Sequence, residues 1–544
     1  MAFNDHRGGL RLDCLQCPLH QEGPRCVQSA LPPRMASEEE KGGLGNTRRL
    51  VRQTGLLISS GVVSYGGQLL LYIILARVLG TSGFGAWALA FTLARTIGPI
   101  GILGADWIVL RQASFYQGKG DEARFRRTLY LSFALSAGAL TVIGGGLIVA
   151  APLIARELFE DPSIAPLLRL TGITAPLMGI QQIMLAGTQA FKSMREVALL
   201  RNLLRPLARV IFVTGAVVLV STQFSAYVGL TIAEAVIAAA SVYALNRRIP
   251  ILGPTKPVDN ADLLKFALPA WGTRALTTSH RDIYSILVGS LAALASTGIF
   301  VASQQVAGMS TTIIFAMNQV YGPMGSDLYL QGRASELKSL FQSIAKWSFT
   351  LGFPLFCFQI GFPKEILAVF GKSFVDQSVI LVLLSIGNLL SFGTGPTATT
   401  LLIAGRAHMT LINNVVTVGG EVLLAIWLIP AHGLLGAGLA RVIGVALSNL
   451  IRMVQVRMIL GFWPYRPDYW KPLVAGLASL GLAKLVIPAI GLGLRPVAAV
   501  AAAAVIGVSY VGLVLILRLT DEDRMAIDAL TGRFRRKGRA KPED

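Results

Sequence analysis

Arg274 and Arg281 stand seven residues apart in a largely apolar stretch, 263–287. Seven residues make two helical turns, so on a helix both guanidinium groups share one face, about 10 Å apart. Guanidinium forks match phosphate oxygens and keep their charge at any working pH, so such a face suits a pyrophosphate. Arg441 and Arg95 lie in other apolar stretches and are candidates for the same role. The acidic counterparts are Glu234 and Glu421, deep in their stretches, Asp282 beside Arg281, and Asp106 near the end of its stretch. A carboxylate in a low-dielectric cavity can take up and release a proton, which makes these four candidates for ion coupling or gating. At the centre of a membrane helix an ionisable side chain costs about 2.5–3.5 kcal/mol on the insertion scale, so one that persists is a functional candidate. The blander reading of each is an ion pair that holds packing together, or a side chain that snorkels to the interface.

Uncharged polar residues complete a cavity wall: Gln181, Gln182, Gln304, Gln305, Asn318, Gln319, Asn388, Asn413 and Asn414. Amides suit sugar hydroxyls, and also bond helix to helix. Of the adjacent pairs 181–182, 304–305 and 413–414, at most one of each lines the cavity. No catalytic motif accompanies them. His280-Arg-Asp copies three letters of a kinase loop but lacks the downstream Asn and a Gly-rich loop, and no Walker sequence is present. The expectation is therefore no enzyme, no cofactor and no metal.

The elements that must position these residues are membrane helices. Of 544 residues, 53% are hydrophobic and 14% charged, well short of the roughly 25% charged in soluble proteins. Mean hydropathy is +0.60. A bilayer-spanning helix takes about 20 apolar residues, and fourteen such stretches follow one another: 55–78, 86–108, 129–152, 166–189, 206–222, 225–245, 263–287, 297–320, 346–363, 377–401, 409–429, 433–453, 470–490 and 496–517. The fifth is short and the seventh carries three charges, so thirteen or twelve remain open. The net charge of +20 would suggest nucleic acid in a soluble protein. Here the Lys and Arg fall on alternate loops, for example Arg124, Arg126 and Arg127; Arg195, Arg201 and Arg205; Arg452, Arg457 and Arg466; and the tail after Arg518. By the positive-inside rule those loops and both termini are cytoplasmic, and no nucleic-acid partner is implied. The intervening loops are short, which weighs against an external catalytic domain.

Residues 1–50 read as a disordered cytoplasmic tail without the apolar core of a signal peptide. Cys14, Cys17, His20 and Cys26 have a loose zinc-ligand spacing. The plainer reading is that translation starts at Met35. Domain boundaries follow the spans: 51–250 and 251–460 as two six-helix bundles, 461–518 as two additional helices, and 519–544 as a basic tail. The bundles read as parallel repeats. Tyr72-Ile-Ile-Leu-Ala leads to Gly85-Ala-Trp-Ala, Tyr284-Ser-Ile-Leu-Val leads to Gly298-Ile-Phe-Val, and Met184-Leu-Ala-Gly pairs with Leu402-Ile-Ala-Gly, at similar offsets.

Several motifs carry a family resemblance: Ala76-Arg-Val-Leu-Gly-Thr-Ser-Gly-Phe-Gly-Ala-Trp, Leu103-Gly-Ala-Asp, Lys265-Phe-Ala-Leu-Pro, Asp282 with Gly289 and Thr297-Gly-Ile-Phe, and Ile429-Pro-Ala-His-Gly-Leu-Leu-Gly-Ala-Gly-Leu-Ala. Over about residues 50–460 the chain resembles the polysaccharide and O-antigen flippases of the multidrug/oligosaccharidyl-lipid/polysaccharide exporter superfamily. The resemblance implies an all-α polytopic protein with two bundles around a central cavity. It implies a bacterial inner-membrane protein that moves a polyprenyl-pyrophosphate-linked oligosaccharide by alternating access for surface polysaccharide synthesis, using H+ or Na+ and working beside a polysaccharide polymerase and assembly proteins. Lipid II flippases share the fold and are the alternative, although their first-span arginine pattern is missing between Gly55 and Ala76. A non-transporting envelope scaffold is the competing class.

Overall fold

The computed structural model describes the backbone of residues 36–191, 196–258, 271–272, 275, 282–491 and 496–517, with side chains from Ser60 onward. Two compact units are distinguished, Met1–Gly55 and Leu56–Asp544. In the first, helical backbone begins at Ala36. The tail cysteines and His20, Arg274 and Arg281, and the tail after Leu517 lie outside the described residues.

The second unit is all helix among the described residues. The main helices of the chain are α1 (Ala36–Gly101), α2 (Glu122–Glu157), α3 (Ala165–Ala190), α4 (Arg205–Leu219), α5 (Gln223–Asn246), α6 (Asp282–Leu291), α7 (Leu294–Ala307), α8 (Met309–Leu330), α9 (Ala334–Gly361), α10 (Val379–Gly393), α11 (Thr397–Ile403), α12 (Ala407–Leu460), α13 (Trp470–Ala489) and α14 (Pro496–Ile516). Local chemistry starts several of them. Asp121 accepts the backbone N–H of Arg124 ahead of α2, Thr222 and Ser225 form a capping box on α5, and proline opens α14. Prolines inside α1, α2, α3, α8, α9, α12 and α13 are tolerated because neighbouring helices recover the freed backbone groups.

Nine described helices are long and apolar enough to cross a bilayer, or ten if α7 and α8, bent by 42°, count as one span. The expected fourteen differ from this for identifiable reasons. α1 and α12 each hold two expected spans and are broken by a non-helical glycine, Gly80 (φ 70°) and Gly433 (φ 57°), where the sequence places a loop. Left-handed backbone there costs glycine nothing, and it turns the chain between spans. The expected ninth span lies inside α9, whose first turns are polar. Of the seventh span, only its last residues fall in the described α6.

Packing sorts the helices into two sets. Before residue 258, α2 packs on α3, α3 on α5, and α4 on α5; after residue 282, α10 packs on α12 and α9 on α8 and α10, while α13 and α14 pair with each other and dock on α9. Small residues allow the closest approaches. A Cβ on Gly144 or Gly172 would strike the other's backbone between α2 and α3.

The two sets meet at the Gly80 end of α1. A Cβ on Gly85 would collide with the Leu294 carbonyl oxygen, and a Cβ on Gly298 with that of Thr81. Positions 85 and 298, like positions 81 and 294, are 213 apart. The contact is therefore reciprocal between the segments the sequence pairs as repeats. Arg77 Nε donates to the Val369 carbonyl over 2.7 Å, and the Phe84 and Phe374 rings lie 6.1 Å apart beside it. Together these contacts close this end without leaving space for a side chain between the glycines.

Candidate functional site

One face of α1 organises the centre of the molecule. Gly61, Tyr65, Gln68 and Tyr72 follow one another at helical spacing and so point the same way. Tyr65 and Gly61 line a cavity of about 480 Å³, shared with Gln304 and Ala307 of α7, Thr311 and Phe315 of α8, Asn388 of α10, and Arg441 and Val445 of α12. The Tyr65 hydroxyl donates to the Gln305 carbonyl, which joins the two helix sets at the cavity wall. Asn388 Nδ2 donates to the Ala307 carbonyl at 2.7 Å. The lining therefore combines one guanidinium with amides, hydroxyls and apolar surface, a composition typical of a ligand cavity.

Arg441 belongs to one of three ion-paired groups built on buried carboxylates. Arg441 Nη1 meets Glu421 Oε2 at 3.1 Å, with the carboxylate side chain fully buried and the arginine one-fifth exposed. Both come from α12, on either side of its Gly433 break. The Arg441 guanidinium also lies 5.4 Å from the centre of the Tyr284 ring on α6. In the other helix set, Glu234 of α5 accepts from Arg209 Nε at 2.7 Å, from Arg205 Nη2 at 3.0 Å and from Gln181 Nε2 at 2.7 Å. Arg209 Nη1 donates to Gln68 Oε1 at 3.1 Å, on the organising face of α1. The third pair crosses between the sets: Arg95 of α1 donates through Nε (2.9 Å) and Nη2 to the two carboxylate oxygens of Asp282, the first residue of α6. Phe91, one turn before Arg95, lies within cation–π reach of both Arg95 (5.6 Å) and Arg209 (4.9 Å).

The expected site residues that are described can now be located. Arg441 lines the cavity. Arg95 is instead forked onto Asp282. Glu234 and Glu421 are both ion-paired carboxylates. Asp106 lies in a short helix, Ala105–Ile108, that follows a break at Leu103 and Gly104, and accepts from Gln182 Nε2 at 2.8 Å. Of the adjacent amides, Gln304 lines the cavity while Gln305 is buried, and Gln181 serves Glu234 while Gln182 serves Asp106. Arg274 and Arg281 lie outside the described residues.

Two arginines escaped the sequence reading. Arg205 counts there as a cytoplasmic loop anchor and Arg209 carries no role, yet both hold Glu234. The available signal was their spacing: one turn apart at the start of α4, they share a face, and a neighbouring apolar stretch carries an unpaired glutamate. Lys346 was also passed over. It pairs with Asp468 at 2.5 Å, tying the start of the expected ninth span to the segment before α13.

Known proteins share this architecture. A family model described as "Polysaccharide biosynthesis protein" matches residues 50–329. Stage V sporulation protein B of Bacillus subtilis (strain 168) is 23% identical over 527 residues, covering 89% of this chain and 98% of its own length. Among solved structures, an inward-facing multidrug resistance MATE family transporter of the MOP superfamily superposes with a TM-score of 0.62 at 15% identity, covering 72% of this chain and 94% of its own. The lipid II flippase MurJ in an inward closed conformation superposes with a TM-score of 0.56 at 13% identity, covering 86% and 98%. An outward-facing MATE structure gives 0.54 at 15% identity, covering 75% and 95%. The matched residues make up half of the chain, and the solved structures share its fold over most of its length: the chain belongs to the polysaccharide biosynthesis protein family, as a multi-pass membrane protein.

Proposed function

We propose that this protein flips a polyprenyl-pyrophosphate-linked oligosaccharide from the inner to the outer leaflet of a bacterial inner membrane, for surface polysaccharide synthesis, with both termini in the cytoplasm. The observation that carries this reading is the cavity. It presents one guanidinium, Arg441, among amides and hydroxyls, between two helix sets whose backbones touch at Gly85 and Gly298. A phosphate takes the arginine fork, and sugar hydroxyls take Gln304, Asn388 and Thr311. With the termini inside, the Gly80 end faces outward. The arrangement then has its outer end shut and its cavity on the cytoplasmic side of that seal, in keeping with the higher TM-score against the inward-facing transporter. Two six-helix bundles, 51–250 and 251–460, rocking about the cavity would give alternating access. H+ or Na+ acts on this reading at Asp282, Glu421, Glu234 or Asp106, and a polymerase with its assembly proteins receives the product.

A lipid II-type substrate is the second reading, favoured by the larger share of this chain, 86%, that the MurJ structure covers. A non-transporting scaffold has no use for a guanidinium at a cavity wall. The test removes the charge without leaving a buried orphan, because deleting one partner of a buried pair costs 3–5 kcal/mol whereas deleting both is near neutral. In a host lacking the gene, Arg441→Gln with Glu421→Gln should abolish surface polysaccharide while membrane abundance stays at the wild-type level. Full export by that double variant would overturn the assignment of Arg441.

A further inference from the structure

The fork between Arg95 and Asp282 is an ion pair that joins the two helix sets directly, and its geometry is asymmetric. The Asp282 side chain is 2% exposed, whereas Arg95 is 28% exposed. The guanidinium can therefore be reached from outside the pair, whereas the carboxylate cannot. The surroundings also favour an anion. Among the described residues, Arg95, Arg205 and Arg209 pair with Asp282 and Glu234, three guanidinium groups against two carboxylates. Phe91 groups Arg95 with Arg209.

The fork is also mechanically linked to the cavity and the seal. Two residues along α6 from Asp282, the Tyr284 ring receives Arg441 from the cavity wall. Seven residues along, the Leu89 side chain wraps Gly289 so closely that a Cβ there would sit 2.8 Å from it. Leu89 is six residues from Arg95 on α1, so α1 and α6 are joined at two levels about 10 Å apart. The glycine seal at residues 85 and 298 cannot part while both levels hold.

We propose that Arg95 and Asp282 form a latch between the two helix sets which the substrate's phosphate opens, by drawing the Arg95 guanidinium off the Asp282 carboxylate. The proposal rests on the flippase reading. A phosphate with two anionic oxygens competes for the same fork that Asp282 occupies, and it carries more charge. Binding and opening are then coupled, since a ligand shifts a conformational equilibrium only by as much as it prefers one state. Arg441 and Tyr284 bring the anion to the segment that carries Asp282.

The latch makes opposite predictions for its two members. The full chain, in nanodiscs, is titrated with farnesyl pyrophosphate, and spin labels at Val78→Cys and Leu291→Cys, both exposed near the seal, report its separation in a background with the native cysteines replaced. Asp282→Asn removes the competitor and should tighten farnesyl pyrophosphate binding about tenfold, within the usual range of coupling factors. Arg95→Gln removes the acceptor site and should weaken it by a similar factor. Both should lengthen the label distance without ligand, as farnesyl pyrophosphate does in the wild type. The exchange Arg95→Asp with Asp282→Arg should restore the short distance, which a misfolded protein would not do. Unchanged or weaker binding to Asp282→Asn overturns the latch. If Arg441→Gln with Glu421→Gln still abolishes binding in that case, the cavity reading survives it. Label distances unmoved by either single change overturn the latch as well, and binding of farnesyl pyrophosphate to no form overturns both readings.

Discussion

Glu234 shows how little a buried charge says about its role until its neighbours are known. Read alone, it is a carboxylate free to bind a proton; with Arg205, Arg209 and Gln181 around it, it is the acceptor that keeps two guanidinium groups inside the membrane. Glu234→Gln should therefore destabilise the protein by about 3–5 kcal/mol, because it strands buried arginines rather than removing a neutral contact. Thermal unfolding in detergent would register this as a clear fall in midpoint, and an unchanged midpoint would assign Glu234 away from structure and toward coupling. Arg441 was legible from sequence because a lone arginine in an apolar stretch stands out. Arg205 and Arg209 were not, because arginines at a span boundary look like topological anchors, and only tertiary packing brings α5 against α4. Asp282 and Arg95 were each legible as charges in apolar stretches, whereas their pairing across 187 residues was not.

The helices carry a different kind of information. Glycines at 80, 85, 298 and 433 are invisible to hydropathy, yet two of them turn the chain within α1 and α12 and two let α1 and α7 touch backbone to backbone. The sequence reading recognised Gly85 and Gly298 as equivalent members of a repeat but had no means of knowing that they meet. Substituting either with leucine leaves no room for the seal as it stands. Gly85→Leu or Gly298→Leu should hold the outer end apart, so that an impermeant thiol reagent added outside labels Val301→Cys, which is buried in the native arrangement. No gain in labelling would mean the glycine contact is not the seal. Hydropathy divides α1 and α12 into two expected spans each, and the backbone breaks at Gly80 and Gly433, at or beside the expected boundaries.

For the whole molecule, the surplus of +20 falls on alternate loops, which by the positive-inside rule is the pattern of a topological anchor. On the proposed topology the Gly80 end faces outward. Fusions of a fluorescent protein, which matures only in the cytoplasm, should glow at both termini, while alkaline phosphatase fused after Gly80 should be active; the reverse pattern would invert the seal and the direction of opening. The fold as an all-helical multi-pass membrane protein was readable from length and hydropathy because lipid allows few alternatives. The cavity was not, since it is assembled from α1, α7, α8, α10 and α12, elements far apart in sequence.

Translocation itself is the most direct measurement. Purified protein reconstituted into liposomes that carry an undecaprenyl-pyrophosphate-linked oligosaccharide in one leaflet can be assayed by the accessibility of the sugar to a membrane-impermeant lectin. The wild type should move the sugar across and the Arg441→Gln with Glu421→Gln variant should not. No movement by the wild type in an oriented, folded preparation, or equal movement by the variant, would contradict the account.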